Sequence, residues 1–163
     1  MAKVLPLTIL PSPLLHQKSQ PIAVAKITQP EIQQLISDME QTMKANNGVG
    51  LAAVQVGKLL QLALIETQDG ILVLINPQIT SKSWLKNEGE EGCLSVPDKF
   101  GLVKRLTKIK VSAYNQQGKK ISFTAKGFFA RVIQHEVDHI NGILFIDRTK
   151  KIYGGPPRDR QRD

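Results

Sequence analysis

The spacing of apolar residues predicts one helix and one hairpin in the first half of the chain. Between residues 29 and 46, apolar side chains recur at three- and four-residue intervals and Pro30 stands at a first-turn position, a pattern typical of an amphipathic helix. Residues 60–66 and 71–76 are short apolar runs separated by Asp69-Gly70, a dipeptide that favours a tight turn. We therefore expect a helix followed by two paired strands.

The second half continues with strands and ends in another helix. Apolar and polar residues alternate over residues 107–113, and a similar alternation at residues 121–125 follows a turn, so both segments are predicted to be half-buried strands. A helix is predicted from Phe128 to about Ile140, ending near Gly142. Because the order is helix, hairpin-linked strands and helix, we expect an α+β fold with mainly antiparallel sheets rather than alternating βαβ units.

The length and composition predict one folded domain with a polar tail. The chain has 163 residues, of which 41% are hydrophobic and 22% are charged, and both values are ordinary for a globular protein. We assign residues 1–149 to the folded domain. Residues 150–163 contain Gly154-Gly155-Pro156-Pro157 and are otherwise mostly polar, so we expect this basic tail to be disordered.

The sequence also indicates a protein of a reducing compartment. No apolar run approaches the length that spans a bilayer. Prolines at positions 6, 11 and 13 interrupt the apolar start of the chain, which makes a poor signal-peptide core. A single cysteine excludes an internal disulfide. We expect a cytoplasmic or equivalent location and no membrane partner.

The positive charge of the chain is concentrated in one segment. The formal net charge is +8, and no acidic residue occurs between Lys99 and Gln134, a stretch that holds nine lysines and arginines. Such a segment favours acidic partners, including RNA phosphates. A solvated strand face is the simpler explanation for most of these lysines, so the charge permits a nucleic-acid partner without establishing one.

The strongest candidate for chemistry is the motif His135-Glu136-Val137-Asp138-His139, which lies in the second predicted helix. Side chains four residues apart share a helix face, so both imidazoles can bind one metal ion. Glu136 lies one step around the helix, where its carboxylate can reach a water on that ion. Two surface histidines on a helix are the alternative interpretation.

Two histidines leave a catalytic metal site one protein ligand short, because such sites usually have three protein ligands and an open position. After His139, acidic residues occur only at positions 147, 159 and 163, and the last two lie in the predicted tail. Cys93, in the segment Glu91-Gly92-Cys93-Leu94-Ser95, remains. A lone cysteine is ordinarily a buried apolar residue, but the incomplete site favours Cys93 as the third ligand.

A third motif, Gly48-Val49-Gly50-Leu51-Ala52-Ala53-Val54-Gln55, matches the G-x-G-x-x-A pattern of dinucleotide-binding proteins. The context argues against that function, since a helix rather than a strand precedes the glycines and Gly57 leaves no room for a following helix. The small residues instead indicate a backbone that passes close to another chain or a ligand. Gln55 adds an amide donor just beyond them.

The three motifs, in this order, resemble those of the peptide deformylases, and the similarity covers about residues 14–148. The resemblance implies antiparallel sheets packed around a central helix that carries the HExxH motif, and removal of the formyl group from N-formylmethionyl peptides of nascent chains. It implies Cys93, His135 and His139 as ligands of one divalent metal. That metal is usually Fe²⁺ in the family, with Zn²⁺, Ni²⁺ or Co²⁺ also accepted.

The resemblance also assigns the other site residues. It implies that Glu136 is the general acid and base, and that the Gln55 side chain and the Leu94 backbone N–H bind the carbonyl oxygen. The substrate-binding residues that it implies are Val49, Gly50, Gly92, Phe128 and Val132, of which Val49, Phe128 and Val132 line the methionine pocket.

Two positions depart from the family pattern and one matches it. Arg131 stands where many relatives carry an apolar residue, and we expect its stem to cover the pocket wall while its charged end reaches solvent. Phe100 occupies a position where bacterial relatives often have an arginine near the peptide. Arg105 matches, and we expect it to hold Glu91.

The sequence is also compatible with two other functions. A zincin-like endopeptidase would use the same helix with a third ligand other than Cys93. An RNA-associated module with a structural metal would need four protein ligands, and no fourth candidate occurs. The basic surface also permits a weak contact with the ribosome.

Overall fold

The computed structural model describes residues 1–154, which form a mixed fold of helices and antiparallel sheets, as predicted. The two α-helices are α1 (Pro30–Ala45) and α2 (Gly127–Ile140). The strands are β1 (Gly50–Ala52), β2 (Leu62–Thr67), β3 (Gly70–Lys82), β4 (Lys86–Cys93), β5 (Val96–Leu106), β6 (Lys108–Tyr114), β7 (Lys120–Lys126) and β8 (Ile152–Gly154). Short 3₁₀ turns lie at Pro13–His16, Val24–Lys26, Ala53–Val56 and Phe145–Asp147.

Five strands form one antiparallel sheet in the order β1-β2-β3-β6-β7. The β2–β3 hairpin pairs Thr67 with Gly70, which confirms the turn predicted at Asp69-Gly70. Strand β3 runs further than the apolar pattern indicated, because a register shift near Pro77 lets the strand continue past a residue that cannot donate a ladder hydrogen bond. The predicted strands β6 and β7 pair along their full length.

The strands of the second antiparallel sheet, in the order β4-β5-β8, were not among those predicted from the apolar pattern. Strand β4 reads Lys-Asn-Glu-Gly-Glu-Glu-Gly-Cys and has no apolar alternation. Its pairing with β5 supplies the backbone hydrogen bonds that this composition alone does not favour. The two strands are joined by the two-residue turn Leu94-Ser95, since Cys93 pairs with Val96.

The expectation that the chain is disordered from residue 150 is wrong as far as Gly154. Strand β8 pairs with residues 99–101 at the edge of β5. The Tyr153 ring lies near the ring of Phe100, with their centroids 6.5 Å apart, and its hydroxyl donates to Glu90. The rest of the predicted tail, residues 155–163, lies outside the described residues.

Helix α2 packs against strands of both sheets. Ala130 and Ile133 are fully buried against residues of β2, β3, β6 and β7, and the helix also contacts β5. Gly127, with a φ of +58°, turns the chain from β7 directly into the helix. No helix among residues 1–154 is long and apolar enough to cross a membrane.

Candidate metal centre

The side chains of Cys93, His135 and His139 converge at one point. Cys93 ends β4 immediately before the Leu94-Ser95 turn, and the two histidines lie one turn apart on α2. The Cys93 Sγ atom is 3.3 Å from His139 Nε2, and one potential ligand atom from each of the three residues lies within 4.8 Å of the others. Spacing along the helix and pairing in the second sheet therefore bring together the three predicted ligands.

The surroundings of this cluster fit a divalent metal. Burial keeps the pKa of His139 well below its ordinary value, so the imidazole is neutral and offers a lone pair. Glu136 Oε2 is buried and has no hydrogen-bond partner among residues 1–154. A water held by the ion would give that oxygen a partner. One thiolate and two imidazoles form a donor set that suits zinc, iron and nickel.

Glu91 holds His135 in place from the second sheet. Its Oε1 lies 2.7 Å from His135 Nδ1, so the other ring nitrogen is left for the cluster. Arg105 donates to both Glu91 oxygens at 2.8 and 2.9 Å, which confirms the expected contact. Burial alone would raise the pKa of Glu91, but hydrogen bonds from Arg105 and His135 outweigh it and lower the pKa to about 2. Glu91 is therefore an anion at neutral pH.

The expectation that the charged end of Arg131 reaches solvent is wrong. Its guanidinium is buried against the second sheet, where Nη1 donates to Glu91 Oε2 at 3.0 Å and to the Val103 carbonyl at 2.8 Å, and Nη2 donates to Asn87. A Cβ on Gly89 would lie 2.8 Å from this guanidinium, so the glycine makes room for it. The guanidinium of Arg131 is buried because buried carbonyl groups and the Glu91 carboxylate accept its hydrogen bonds.

Glu136 is buried beside Gly50. A Cβ added to Gly50 would lie 2.4 Å from Glu136 Oε1, so only glycine allows strand β1 to pass this close to the carboxylate. Burial raises the pKa of Glu136 to about 7, with the charge of Glu91 adding to the effect and that of His135 opposing it. A carboxyl group with this pKa can both accept and return a proton near neutral pH.

The Gln55 side chain lies beside Cys93. Its Oε1 accepts a hydrogen bond from the Ala52 N–H at 2.9 Å, which fixes the orientation of the amide. The Nε2 group donates to Ser95 Oγ at 3.2 Å and contacts Cys93 Sγ at 3.4 Å. The amide donor therefore points at the cluster, next to the turn that carries the Leu94 backbone N–H.

A cavity of about 510 Å³ opens beside the cluster. All five residues expected around the substrate line it, namely Val49, Gly50, Gly92, Phe128 and Val132. Leu94, Cys93, His135 and Glu136 also line the cavity, whereas Gln55 and His139 are buried and do not. Phe100 lines it too, with its ring against Gly92, where an added Cβ would lie 2.7 Å from the ring.

Two contributors to the site were not identified from the sequence. Asp138 accepts hydrogen bonds from Arg105 at 2.5 Å and from Arg148 at 2.5 and 2.6 Å, so it anchors the arginine that holds Glu91. Ser95 is fully buried and accepts the Gln55 amide. The position of Asp138 inside the histidine motif was a signal, but its pairing with Arg105, 33 residues away along the chain, depends on the tertiary fold.

The site combines one cysteine and two histidines with a buried glutamate and an open cavity. Such a site is typical of mononuclear metallohydrolases, which keep an open position on the metal. The model of the polypeptide deformylase family matches residues 4–153, and the chain belongs to that family.

Individual relatives agree with this assignment over most of the chain. A peptide deformylase of Desulforudis audaxviator is 42% identical over 88% of this chain and 92% of the relative. Peptide deformylase 1 of Bacillus cereus is 47% identical over 73% of this chain and 77% of the relative. A crystal structure of a class I type b peptide deformylase from Acinetobacter baumannii, bound to Met-Ala-Ser, is 37% identical. The match covers 91% of this chain and 99% of the Acinetobacter chain, with a TM-score of 0.87.

Proposed function

We propose that this chain removes the N-formyl group from the N-terminal formyl-methionine of newly made polypeptides and releases formate, using one metal ion held by Cys93, His135 and His139. Membership of the deformylase family supports the reaction. The observation that carries the residue assignment is the convergence of three ligand atoms within 4.8 Å, beside a buried Glu136 at the cavity wall. In this proposal α2 is the central helix. It carries His135, Glu136 and His139, and it packs against strands of both sheets.

Glu136 moves the proton in this reaction. A divalent ion at the site would polarise the formyl carbonyl and lower the pKa of an attacking water. The Glu136 carboxylate takes a proton from that water as the water attacks the formyl carbon, and then delivers the proton to the leaving amine. A pKa of about 7 suits both transfers near neutral pH.

Two donors stabilise the carbonyl oxygen, one from the 3₁₀ turn Ala53–Val56 and one from the turn between β4 and β5. The Gln55 Nε2 group lies 3.4 Å from Cys93 Sγ, and Leu94 directly follows Cys93 in the chain, so both can donate to an oxygen that gains negative charge beside the cluster. The first methionine would occupy the apolar part of the cavity, formed by Val49, Phe128 and Val132. The Acinetobacter relative, bound to Met-Ala-Ser, supports a methionine peptide as the ligand.

The metal we propose is Fe²⁺, with Zn²⁺, Ni²⁺ and Co²⁺ as alternatives that the same ligands accept. A ferrous ion and a thiolate are both open to oxidation. We therefore expect the iron form to lose activity in air faster than the nickel form. Equal half-lives of the two forms in air would contradict this expected oxygen sensitivity of the iron form.

The test of the function is formate release from a formyl-Met tripeptide. Protein is loaded anaerobically with Fe²⁺ or Ni²⁺, and the wild type is compared with Glu136→Ala at equal metal content. We expect activity in the wild type and a loss of about 100-fold or more in the variant. No formate from wild-type protein with a full metal site would contradict the reaction, and full activity of the variant would contradict the role of Glu136.

We also propose a cytoplasmic location and a weak contact between the basic tail and the ribosome. The charge of the chain supports the contact, since it attracts RNA phosphates. Deletion of the residues after Tyr153 is expected to reduce co-sedimentation with ribosomes at low salt. Unchanged co-sedimentation would contradict a role for the tail.

A further inference from the structure

A second cavity, of about 890 Å³, lies on a different face of α2 from the metal centre. The α2 residues that line it are Gln134, Val137, Asp138 and Ile140. Those that line the metal cavity are Phe128, Arg131, Val132, His135 and Glu136. Since the helix repeats every 3.6 residues, the two sets point in different directions. The second cavity therefore opens away from the proposed reaction.

The lining of this second cavity is strongly basic. Its charged residues are Lys18, Lys82, Lys86, Lys104, Arg105, Arg148 and Asp138. Asp138 already accepts hydrogen bonds from both arginines. The four lysines are exposed, and no carboxylate within residues 1–154 forms a salt bridge with them. The cavity thus presents free positive charge that an anionic ligand could neutralise.

An exposed aromatic side chain lies at the edge of this cavity, between two of these lysines in the sequence and next to Ser83, which also lines the cavity. Trp84 lies in the loop that joins β3 to β4, between Lys82 and Lys86, and 91% of it is exposed. Its neighbour Leu85 is 53% exposed. A large aromatic surface left in water contributes little to the core, and it offers a flat face for stacking.

We propose that Trp84 and the lysines Lys18, Lys82, Lys86 and Lys104 form a binding surface for single-stranded RNA. A base stacks on the Trp84 ring while the neighbouring phosphates lie against the lysines, a combination typical of single-strand binding. The choice of RNA rests on the proposed function, because a newly made polypeptide leaves an RNA-rich particle. The surface would hold the enzyme near its substrate while the metal cavity stays open.

Trp84 is the only tryptophan in the chain, so its fluorescence reports directly on this surface. The metal-loaded protein is titrated with a ten-nucleotide single-stranded RNA at several salt concentrations, and tryptophan fluorescence and the anisotropy of labelled RNA are recorded. We expect quenching of Trp84 and a slope of log K against log salt of about −3, as expected for about four phosphate contacts.

Four variants separate the contributions of stacking and of local charge from that of the net charge of the molecule. Trp84→Ala should weaken binding about 5- to 100-fold, while Trp84→Phe retains most of it because the ring still stacks. Lys82→Glu/Lys86→Glu should weaken binding at least about 10-fold and flatten the salt slope. Lys119→Glu/Lys120→Glu makes the same charge change at the exposed β6–β7 turn and should bind nearly as the wild type. Lys104 is left unchanged because Glu88 faces it across the β4–β5 ladder.

Several results would overturn the proposal. They are absence of quenching, equal weakening by the two lysine pairs, and tighter binding to single-stranded DNA or to anionic lipid vesicles than to RNA. Formate release is measured on every variant and should be unchanged, since none of these residues lies at the metal centre. A failure of formate release in the wild type would contradict the proposed function and leave the RNA result to be judged separately.

Discussion

Three positions around the metal centre require glycine, because the backbone there lies very close to neighbouring side chains. Gly50 permits the contact between β1 and Glu136, Gly92 permits the Phe100 ring to lie against the strand, and Gly89 makes room for the Arg131 guanidinium. In each case an added methyl group would overlap a side chain. Each of these three glycines therefore has a packing reason, and at Gly50 the neighbour is the proposed proton carrier.

We predict that Gly50→Ala lowers kcat for formate release by about 100-fold, because the added Cβ would lie 2.4 Å from Glu136 Oε1 and displace the carboxylate. Gly154→Ala is the control, since among residues 1–154 its Cβ would meet only the Asp98 carbonyl oxygen, at an ordinary 3.5 Å. Formate release and metal content are measured for both. A wild-type kcat in Gly50→Ala would show that Glu136 takes another position during catalysis.

Gln55 allows a separate test of the amide donor. In Gln55→Glu the carboxylate can still accept the hydrogen bond from the Ala52 N–H, so the local fold is kept, but the donor toward the carbonyl oxygen is lost. We expect kcat to fall about 100- to 1,000-fold with metal content unchanged. If kcat is unaffected while the metal is retained, the carbonyl oxygen is stabilised without Gln55.

At the scale of elements, the centre depends on the contact between α2 and the β4–β5 hairpin. Cys93 comes from the hairpin and the two histidines from the helix. The two elements are joined by Glu91, which contacts His135 and Arg131 of the helix and Arg105 of β5. Such a buried charged cluster is stable only when its members are all paired. The same contacts therefore hold the second sheet and orient a ligand.

Arg131→Leu tests this contact. The substitution removes a hydrogen-bond donor to the carbonyls of Asn87 and Val103 and one partner of Glu91, so we expect the free energy of unfolding to fall by about 1–3 kcal/mol. Arg131→Lys should recover part of the loss. Both values come from urea unfolding followed by circular dichroism. An Arg131→Leu protein as stable as the wild type would show that the arginine adds nothing to this packing.

At the scale of the whole molecule, Glu91 links stability to pH. Its pKa is about 2 in the folded protein and 4.5 ordinarily, so the folded state binds fewer protons than the unfolded chain between these values. The stabilisation is complete above pH 4.5 and is lost as the pH falls toward 2. It amounts to on the order of 3 kcal/mol.

This stability is measured on metal-free protein by urea unfolding between pH 7 and pH 2.5. We expect the wild type to lose stability with falling pH more steeply than Glu91→Gln, which has no carboxyl group to protonate at this position. Parallel pH profiles for the two proteins would mean that Glu91 does not account for the acid sensitivity.

The sequence by itself determined both helices, the β2–β3 and β6–β7 hairpins, the three ligand candidates and Glu136. These are local features, since a helix or hairpin follows from periodicity and turn residues, and His135 and His139 share a face through their spacing alone. Cys93 was reached by comparing the donor set with what a catalytic metal site requires. The resemblance to the family supplied the roles of Gln55 and Leu94.

Only the tertiary structure decided the second sheet, the inward turn of Arg131 and the anchoring of Arg105 by Asp138. Strand β4 carries charged residues and glycines without an apolar period, so its state depends on β5, with which it pairs. From sequence alone, charged residues are predicted to be exposed. Whether a charged side chain can be buried depends on partners that can lie far away along the chain, and the sequence does not show which residues these are. Glu91 is buried because folding places two arginines and a histidine around it.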